Sequence, residues 1–466
     1  MNPLSDETID FTVLDHDMLK SAKSYNLIEA ERCLLCKKPK CQSFCPINTP
    51  IPQVIALYKE GKIDEAGKLL FENNPLSIVC SMVCVHEDQC KGNCVLNAKG
   101  QPVVFHEIEE EISKAFFENH VLERSNREKG RVAIIGGGPA GITISFVLAQ
   151  KGYDVTIFEA HSKIGGVLRY GIPEYRLSNT VVDTIEDKLI EVGVKIRPNT
   201  LIGPVITLDR LFQDGYKAAF IGTGVWNPKP LIIKGETLGN VHYAIDYLKS
   251  PEHYRLGESV AVIGAGNVAL DAARSAIRNG AKTVTIIYRK GFEDMPATQI
   301  EIKEALDDGI SFELYKYPIE IKENGVLIGG VERFKESDLN GEPKEVFKQR
   351  PDQSTLFHAD STIIAISQSP RNNIVSNTTE LNTTRMGLLI TDDEGRTTKR
   401  GTFASGDVVT GARTVVEAIA HAKVVAGTID AYCQSLNQCM LTMTENCDDP
   451  NCEENAMMDC MEKWEW

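Results

Sequence analysis

Two stretches of the chain each combine a short apolar run, a glycine-rich turn and a helical apolar pattern. The first, RVAIIGGGPAGITISFVLAQKGYDVTIFEA, begins at Arg131, and the second, SVAVIGAGNVALDAARSAIRNGAKTVTIIYRK, begins at Ser259. In both, a second apolar run follows the helical pattern, which is typical of a βαβ unit. The sequence therefore predicts an α/β fold with two dinucleotide-binding, Rossmann-like domains and two bound nucleotides.

The residues on either side of these units have different patterns. Those before the first unit predict a mainly helical domain, which a polar, turn-rich linker, SNREKG, separates from the rest. The residues after about Tyr432 are acidic, rich in Cys and Met, and without clear periodicity. The predicted domains are a helical domain at 1–128, a first nucleotide domain formed by 129–225 and 363–432, a second one inserted at 226–362, and a tail at 433–466.

The composition of the 466-residue chain excludes some classes of function. A formal net charge of −15 argues against a general nucleic-acid or anionic-membrane binder, because no broad positive field attracts phosphates. The N-terminus has neither the basic start nor the apolar core of a secretory signal. The most apolar long stretch, 132–149, is interrupted by glycines and a proline. We therefore expect a cytoplasmic protein without membrane insertion.

The thirteen cysteines are distributed very unevenly. Eight lie between Cys33 and Cys94, five lie between Cys433 and Cys460, and none lies in the long middle section. Cytoplasmic thiols stay reduced, so clustered cysteines there are more often metal ligands or catalysts than structural disulfides. The empty middle section leaves no redox disulfide within the two predicted nucleotide domains.

The spacing of the first eight cysteines favours iron–sulfur clusters. CxxCxxxxCxxxCP, starting at Cys33, is close to the CxxCxxCxxxCP spacing of bacterial ferredoxins, and CxxxCxxxxxCxxxC follows from Cys80. Soft thiolates in such numbers select iron–sulfur clusters or zinc. Zinc is the alternative, although zinc sites typically use paired CxxC knuckles. The five later cysteines have no recognisable metal spacing and indicate a partly ordered or disordered appendage, or a metal or partner contact.

The first glycine-rich turn, GGGPAG, fits a dinucleotide site. Gly136, Gly138 and Gly141 fill the GxGxxG positions for a tight turn, close approach of a pyrophosphate and helix–strand packing. Unpaired N–H groups at the start of the helix face the phosphates. Glu159 closes the second strand, where a carboxylate binds ribose hydroxyls. The alternative is a glycine turn in an unrelated α/β domain.

A downstream segment, TFASGDVVTGARTVVEAIAHAKV, favours FAD at this first site. It resembles the second FAD motif of two-dinucleotide-binding flavoproteins, in which an Asp holds the ribityl chain. This likeness implies that Gly406 and Asp407 contact the ribityl–phosphate region. It also implies that Thr414 and Val415 open a helix aimed at the flavin ring, whose dipole stabilises negative charge there.

The second turn, GAGNVA, predicts an NAD(P)H site. Gly264, Gly266 and Ala269 form a GxGxxA fingerprint, and the second strand ends in Tyr288 followed by Arg289 and Lys290 instead of an acid. Two cations there attract a 2′-phosphate, which favours NADPH over NADH. Alternatively, Arg289 and Lys290 are solvated charges beside an NADH site.

From about Glu29 to Tyr432 the chain resembles the small (beta) chain of glutamate synthase and its relatives. These relatives include the N-terminal flavin portion of dihydropyrimidine dehydrogenase and the flavin subunit of ferredoxin:NADP oxidoreductases. The resemblance rests on EAERCLLC, FCPINTPIP, GGVLRYGIPEYRL (165–177), GTG (222–224), MPA (295–297) and AISQSP (365–370). Ser367 stands where the family usually has Gly, and Val85 stands where it usually has Pro.

The resemblance implies two [4Fe–4S] clusters and a division of their ligands. One cluster would use Cys33, Cys36, Cys41 and Cys94. The other would use Cys45, Cys84, Cys90 and Glu109, which leaves Cys80 spare. Spacing alone favours all eight cysteines as ligands, and Glu109 is otherwise a solvated acid among its acidic neighbours.

The nucleotide-binding residues follow from the two fingerprints and the resemblance. None is expected to act as a nucleophile or general base, because hydride transfer depends on positioning. For FAD they are Gly136, Gly138, Pro139, Ala140, Gly141, Glu159, Gly166, Arg176, Gly406, Asp407, Thr414 and Val415. For NADPH or NADH they are Gly264, Gly266, Asn267, Val268, Arg289 and Lys290.

The resemblance implies an oxidoreductase that takes hydride from NADPH and passes electrons through FAD and two clusters to an acceptor. No amidotransferase, FMN barrel or pyrimidine site is recognisable, so the acceptor is expected on a larger catalytic subunit or a ferredoxin-like protein. One alternative is the NAD(P)H-binding subunit of dihydropyrimidine dehydrogenase. Others are a flavin-bifurcating ferredoxin:NADP oxidoreductase subunit and a non-catalytic redox sensor or assembly protein.

Overall fold

A computed structural model of the protein describes residues 25–337, 343–444 and 460. Their contacts divide them into two units, each with its own core. The first unit takes the described residues up to Ser81 together with His86–His120, and the second takes Met82–Val85 and the described residues from Val121 on.

The first unit is built from helices. Its longest helix buries Phe105, Ile108, Ile112 and Phe116, at a spacing of three or four residues, which is the stripe expected of an amphipathic helix. Ile55 and Leu70 of neighbouring helices complete this core. The helices in this part of the chain are α1 (Tyr25–Glu31), α2 (Lys40–Ser43), α3 (Ile51–Lys59), α4 (Ile63–Asn73), α5 (Ser77–Val83), a 3₁₀ turn (Val95–Lys99) and α6 (Phe105–Asn119).

The second unit contains a first parallel sheet with the strand order β15-β4-β1-β2-β3. Its central strands are nearly continuous apolar runs, as expected of a parallel sheet covered on both faces. The elements of this part are β1 (Arg131–Ile135), α7 (Pro139–Gln150), β2 (Asp154–Phe158), α8 (Val167–Tyr170), α9 (Asn179–Glu191), β3 (Lys195–Arg197), α10 (Leu208–Gln213), β4 (Tyr216–Ile221), β15 (Thr402–Ala404), α14 (Asp407–Thr410) and α15 (Val415–Thr444).

A second parallel sheet has the order β6-β13-β7-β8-β9. An antiparallel sheet, β10-β11-β12, and a short β5–β14 ladder accompany it. The elements are β5 (Asn227–Pro228), β6 (Val241–Tyr243), α11 (Ala244–Tyr247), a 3₁₀ turn (Pro251–His253), β7 (Ser259–Ile263), α12 (Asn267–Arg278), β8 (Thr283–Tyr288), a 3₁₀ turn (Phe292–Asp294), α13 (Gln299–Asp307), β9 (Ser311–Leu314), β10 (Lys316–Lys322), β11 (Gly325–Ser337), β12 (Pro343–His358), β13 (Ser361–Ile364), β14 (Gln368–Ser369) and a 3₁₀ turn (Val375–Asn377).

The order of these elements confirms the predicted α/β class. The chain builds most of the first sheet, crosses into the second sheet after β4, and returns to add β15 beside β4. Helix α15 then packs against α7, the helix that follows the first glycine turn. Among the described helices, none combines the length and the apolar character that crossing a membrane requires.

The C-terminal part differs from the expected appendage beginning at residue 433. Helix α15 continues to Thr444, and the side chains of Tyr432, Cys433 and Leu436 are buried along it. Cys439 forms a disulfide with Cys460, with 5.9 Å between their Cα atoms. The remaining tail cysteines, Cys447 and Cys452, lie outside the described residues.

Candidate functional site

The first glycine turn joins β1 to α7, and its three fingerprint glycines have different surroundings. Gly136 has a φ of +100°, and a Cβ on it would stand 2.6 Å from the Gly222 carbonyl oxygen. A Cβ on Gly141 would stand 2.1 Å from the Gly136 carbonyl oxygen. At Gly138 the nearest described atom would be 3.8 Å away. The outer two positions therefore require glycine for the fold, and the middle one leaves space for a ligand.

Helix α7 begins at Pro139 with Ala140 in its first turn, and Gly138 caps it in an extended conformation without a side-chain hydrogen bond. The first N–H groups of a helix have no partner within the helix, and they attract anions. The open space at Gly138 thus lies beside donors suited to a pyrophosphate. The turn fits the expected FAD site.

Glu159 follows β2 and is 4% exposed. One carboxylate oxygen accepts the Gly137 N–H at 2.8 Å, and the other accepts the His161 N–H at 2.8 Å and lies 2.9 Å from His161 Nδ1. The predicted ribose-binding carboxylate therefore also holds the glycine turn. His161 stacks on Tyr170, with 4.5 Å between ring centroids, and was not predicted from the sequence.

Gly165 and Gly166 pack against the same glycine turn. The Gly165 N–H donates to the Gly137 carbonyl at 2.7 Å. Gly166 has a φ of +53°, and a Cβ on it would stand 2.8 Å from the Gly138 Cα. The structure thus brings Gly166, predicted to bind FAD, against the glycine turn.

The downstream FAD motif lies against the start of α7. A Cβ on Gly406, which has a φ of +76°, would stand 3.5 Å from the Ala140 Cβ. Asp407 follows, and its carboxylate accepts the Arg413 N–H at 3.3 Å. Burial raises the pKa of Asp407 to about 6. The first glycine turn and the Gly406–Asp407 motif, which are far apart in the sequence, therefore lie next to each other in the structure.

Helix α15 begins beside this motif. The Thr414 hydroxyl donates to the Glu417 carboxylate at 2.6 Å, and the Glu417 N–H donates to the Thr414 hydroxyl at 3.4 Å. Such reciprocal bonds fix a helix N-terminus. The helix from Val415 on presents the positive end of its dipole here, as expected for a site that stabilises a negative flavin ring.

The second glycine turn, between β7 and α12, repeats the arrangement of the first. Gly264 has a φ of +127°, and a Cβ on it would stand 2.2 Å from the Ala365 carbonyl oxygen. Around the Cβ position of Gly266, no described heavy atom beyond its chain neighbours lies within 4 Å. Asn267 and Val268 open α12, and Ala269 is fully buried. The turn fits a second dinucleotide.

The two cations after β8 are placed differently. Arg289 is exposed. Lys290 Nζ lies 3.8 Å from an Asp294 carboxylate oxygen and 4.8 Å from the centroid of the Phe347 ring. Lys290 is therefore engaged by neighbouring side chains, and Arg289 is the better placed of the two to meet a 2′-phosphate.

Arg176, predicted to bind FAD, has carboxylate partners. Its Nη1 lies 2.8 and 2.9 Å from the two Asp271 carboxylate oxygens, and its Nη2 lies 3.2 Å from Glu301 Oε1. Asp271 and Glu301 were missed by sequence reasoning, although an acid at position 271 among the alanines of α12 is a recognisable buried charge.

In the first unit, a cavity of about 470 Å³, counting the space at its mouth, brings cysteines together. Ile51, Ile55 and Phe105 are among its apolar walls, and its predicted cluster ligands are Cys33, Cys36, Cys41, Cys90 and Cys94. Thiol donors around an apolar cavity fit a [4Fe–4S] cluster.

Four of these thiols influence one another electrostatically. Burial raises the pKa of Cys41 to about 11, and the nearby thiolates of Cys94, Cys33 and Cys36 raise it further. These four are the predicted ligands of one cluster. A bound iron would favour the thiolates, because metal ligation requires deprotonated cysteine.

The second group contains Cys90, Glu109 and Cys45. Burial raises the pKa of Cys90, and the charges of Glu109, Cys45 and, less strongly, Cys41 of the first group raise it further. Glu109 is 6% exposed, so it is not a solvated acid. Burial raises its pKa to about 8, against the lowering effect of a hydrogen bond with Ser77, a residue that sequence reasoning missed.

Cys80 and Cys84 differ from the other six N-terminal cysteines. Cys80 is buried, and its sulfur accepts a hydrogen bond from the Asn74 amide at 3.2 Å. Cys84 belongs to the short segment Met82–Val85, which groups with the second unit. The role of Cys84 as a ligand stays a prediction from the resemblance.

Comparison with protein families gives one match for the nucleotide-binding part and another for the cysteine-containing N-terminal part. Residues 130–422 match the family described as pyridine nucleotide-disulphide oxidoreductase. The chain belongs to this family. Residues 13–121 match a second family, described as dihydropyrimidine dehydrogenase domain II, 4Fe-4S cluster. The chain therefore combines a domain that implies FAD and NAD(P) binding with one that implies a 4Fe-4S cluster.

Individual relatives confirm the resemblance inferred from the motifs. The glutamate synthase [NADPH] small chain of Escherichia coli K12 is 32% identical over 429 residues, which cover 86% of this chain and 90% of the relative. The NAD-dependent dihydropyrimidine dehydrogenase subunit PreT of the same organism is 29% identical over 88% of this chain and 95% of the relative. The chain is thus an oxidoreductase, as predicted.

A solved structure shows the same fold at low identity. FprA from Mycobacterium tuberculosis aligns with a TM-score of 0.57 and 16% identity, over 71% of this chain and 90% of that one. The likeness supports the two-sheet arrangement of this chain.

Proposed function

We propose that this chain is a cytoplasmic, NADPH-dependent electron-input subunit similar to the small chain of glutamate synthase. One feature of the sequence supports the electron route most directly. No cysteine lies between Cys94 and Cys433, so the two nucleotide-binding sheets contain no redox disulfide, whereas the N-terminal unit gathers thiols around a cavity. The clusters are then the proposed acceptors within the chain.

The residues of the chain would bind and orient the two nucleotides. The Gly136 turn and the start of α7 would hold the FAD pyrophosphate, Glu159 the ribose, and Asp407 the ribityl region. The Gly264 turn and the start of α12 would hold NADPH, with Arg289 at its 2′-phosphate. When bound, FAD accepts a hydride and releases electrons singly, and iron–sulfur clusters carry single electrons.

Two clusters are proposed in the N-terminal part. Cys33, Cys36, Cys41 and Cys94 would hold the first; all four line one cavity, which Cys90 lines as well, and the resemblance separates Cys90 from them. The proposed ligands of the second are Cys45, Cys84, Cys90 and Glu109. The electrostatic grouping of Glu109 with Cys45 and Cys90, and its burial, support its place in that set.

The acceptor is proposed to lie on a larger catalytic subunit. Two relatives are named as a small chain and as a subunit, which supports a partner of this kind. A dihydropyrimidine dehydrogenase partner is the second candidate, because the N-terminal family match is described by that name.

Protein purified without oxygen tests the proposal. We expect about eight irons per FAD, since each [4Fe–4S] cluster contains about four, and bleaching of the flavin absorbance when NADPH is added. The large chain of a glutamate synthase and the catalytic subunit of a dihydropyrimidine dehydrogenase should then be added separately, and turnover with NADPH compared. An iron-free yellow protein that still reduces its partner would contradict the proposal.

A further inference from the structure

Arg176 connects the two nucleotide-binding parts of the second unit. It lies in the segment between α8 and α9, and its carboxylate partners Asp271 and Glu301 lie on α12 and α13, which accompany the second sheet. The exposed side-chain fractions are 22% for Arg176, 8% for Asp271 and 11% for Glu301. The three groups form a largely buried ion-pair network that spans two separate hydrophobic cores.

The two carboxylates that contact the Arg176 guanidinium belong to helices of the second sheet. Glu301 Oε2 accepts the Thr298 N–H at 3.1 Å and the Thr298 hydroxyl at 3.0 Å, and these bonds belong to the capping box of α13. Asp271 lies one turn into α12, the helix that starts at the Gly264–Gly266 turn. The Glu301 carboxylate is therefore held by its own helix, and Asp271 is carried on the helix that starts at the predicted nicotinamide nucleotide site.

Tyr175, the residue before Arg176, makes a second contact between the two nucleotide-binding parts. The Tyr175 ring lies 4.0 Å from the guanidinium carbon of Arg278 and 5.2 Å from that of Arg274. Arg274 and Arg278 each lie 2.7 Å from an Asp308 carboxylate oxygen at the end of α13. Two consecutive residues thus attach one segment to α12, and Asp308 ties that helix to the end of α13.

We propose that Arg176, Asp271 and Glu301 form a latch that sets the orientation of the NADPH-binding part relative to the flavin-binding part during hydride transfer. In this latch, Asp271 and Glu301 are positioning residues. The inference rests on the proposed function. Hydride transfer requires its two reacting atoms to lie about 3–3.5 Å apart. Domains joined by crossover segments can rotate against each other, and a guanidinium whose Nη1 contacts Asp271 and whose Nη2 contacts Glu301 has two separate attachments that oppose such rotation.

The test is stopped-flow reduction of the FAD-loaded, iron-replete protein by NADPH. For Asp271→Asn and Glu301→Gln, we expect the reduction rate at saturating NADPH to fall about 10- to 100-fold, since small misplacement of reactants has effects of this size. The Kd for NADPH and the FAD content should stay near wild type. An Arg176→Ala and Asp271→Ala double variant should lose less than the sum of the single losses.

The matched control is Asp430→Asn. Asp430 is also a buried, ion-paired carboxylate, with a 10% exposed side chain, but its partners Lys151 and Tyr153 lie in the flavin-binding part. This variant should lower stability and leave the saturated reduction rate unchanged. Equal losses in Asp271→Asn and Asp430→Asn would overturn the latch, because they would indicate a general effect of buried-charge removal.

A second readout does not depend on NADPH turnover. Spin labels carried by unnatural amino acids at the exposed positions Lys195 and Lys282 report the distance between the two sheets. The latch predicts a broader distance distribution in Asp271→Asn than in the wild type. Broadening in a protein that NADPH does not reduce would support the latch and reject the proposed function. An unchanged distribution would overturn the latch, whatever the reduction rate.

Discussion

The Glu159 carboxylate accepts the N–H of Gly137 at 2.8 Å, which joins the end of the second strand to the middle of the first glycine turn. The residue expected to bind ribose therefore also fixes the backbone expected to bind pyrophosphate. We therefore expect the affinity for FAD and the order of the glycine turn to depend on the same side chain, that of Glu159.

Replacing Glu159 by Ala should weaken FAD binding. The change removes acceptors for the Gly137 and His161 N–H groups as well as the ribose contact. Each lost hydrogen bond costs about 1 kcal/mol, so we expect FAD to bind about 10- to 100-fold more weakly. Flavin fluorescence released on dilution measures the change. Glu174→Ala, at an exposed acid, is the control, and equal FAD retention in both variants would contradict the prediction.

Replacing Cys80 and replacing Glu109 should have different effects on the iron content of the protein. Cys80→Ser is expected to keep about eight irons per FAD, and Glu109→Ala to keep about four, because one [4Fe–4S] cluster would lose a ligand. Iron and labile-sulfide analysis of protein purified without oxygen gives the answer. The opposite result, with four irons in Cys80→Ser and eight in Glu109→Ala, would assign all eight N-terminal cysteines as ligands.

Arg289→Ala should change the choice of nicotinamide nucleotide. Arg289 is exposed after β8, where a 2′-phosphate would lie, and charge-assisted bonds contribute about 1.5–3 kcal/mol. We expect KM for NADPH to rise about tenfold or more, with KM for NADH unchanged. Lys282→Ala removes an exposed lysine from the start of the same strand as a control. Unaffected use of NADPH would make Arg289 a solvated surface charge.

Ser367→Gly should stabilise the protein. Ser367 has a φ of +115°, a conformation that side chains rarely adopt, and the family resemblance places Gly there. Relief of this strain is expected to raise the free energy of unfolding by about 1 kcal/mol. A urea titration followed by tryptophan fluorescence measures it. Ser369→Gly, in strand β14, should instead destabilise slightly, and stabilisation by both changes would argue against local strain.

Asp430→Asn should reduce stability in a pH-dependent way. Burial alone would raise the pKa of Asp430, but hydrogen bonds from Lys151, Gln434, Tyr153 and Lys129 outweigh it and hold the pKa well below its ordinary value. Because the pKa of Asp430 is lower in the folded protein than in the unfolded chain, its ionised carboxylate stabilises the fold at pH values above the ordinary pKa of about 4. This stabilisation is lost as the pH falls below that value.

At pH 7 we therefore expect Asp430→Asn to lower the free energy of unfolding by about 2 kcal/mol, as charged hydrogen bonds are lost. The difference from wild type should narrow below about pH 4. Urea midpoints at several pH values measure both effects. Asp392→Asn, which removes a more exposed carboxylate, is the control. A difference that stays constant with pH would show that the charge of Asp430 does not contribute.

The fold was predictable because its main signals are local. Each glycine turn, with its flanking strand and helix, lies within about thirty consecutive residues, and strand periodicity and glycine spacing are both visible in the sequence. The extent of α15 was missed because the acidic, Cys- and Met-rich composition was given more weight than periodicity. Tyr432, Cys433 and Leu436 nevertheless continue the helical spacing of buried residues.

The contacts between distant segments were not predictable. Arg176 and Asp271 are 95 positions apart, and their pairing depends on how two separately formed sheets pack. Glu109 likewise is buried beside Ser77 and Cys90, which are distant from it in the sequence. Residue types alone indicated ionisable groups at these positions, and only the three-dimensional arrangement identifies their partners.

The return of the chain to the first sheet has a consequence for biosynthesis. Strand β15 and helix α15 complete the part expected to bind FAD, and they are synthesised only after the whole second sheet. The described helices of the cysteine-containing unit, by contrast, all precede residue 121. We therefore expect the N-terminal unit to be able to fold on the nascent chain, and FAD to be captured only near the end of translation.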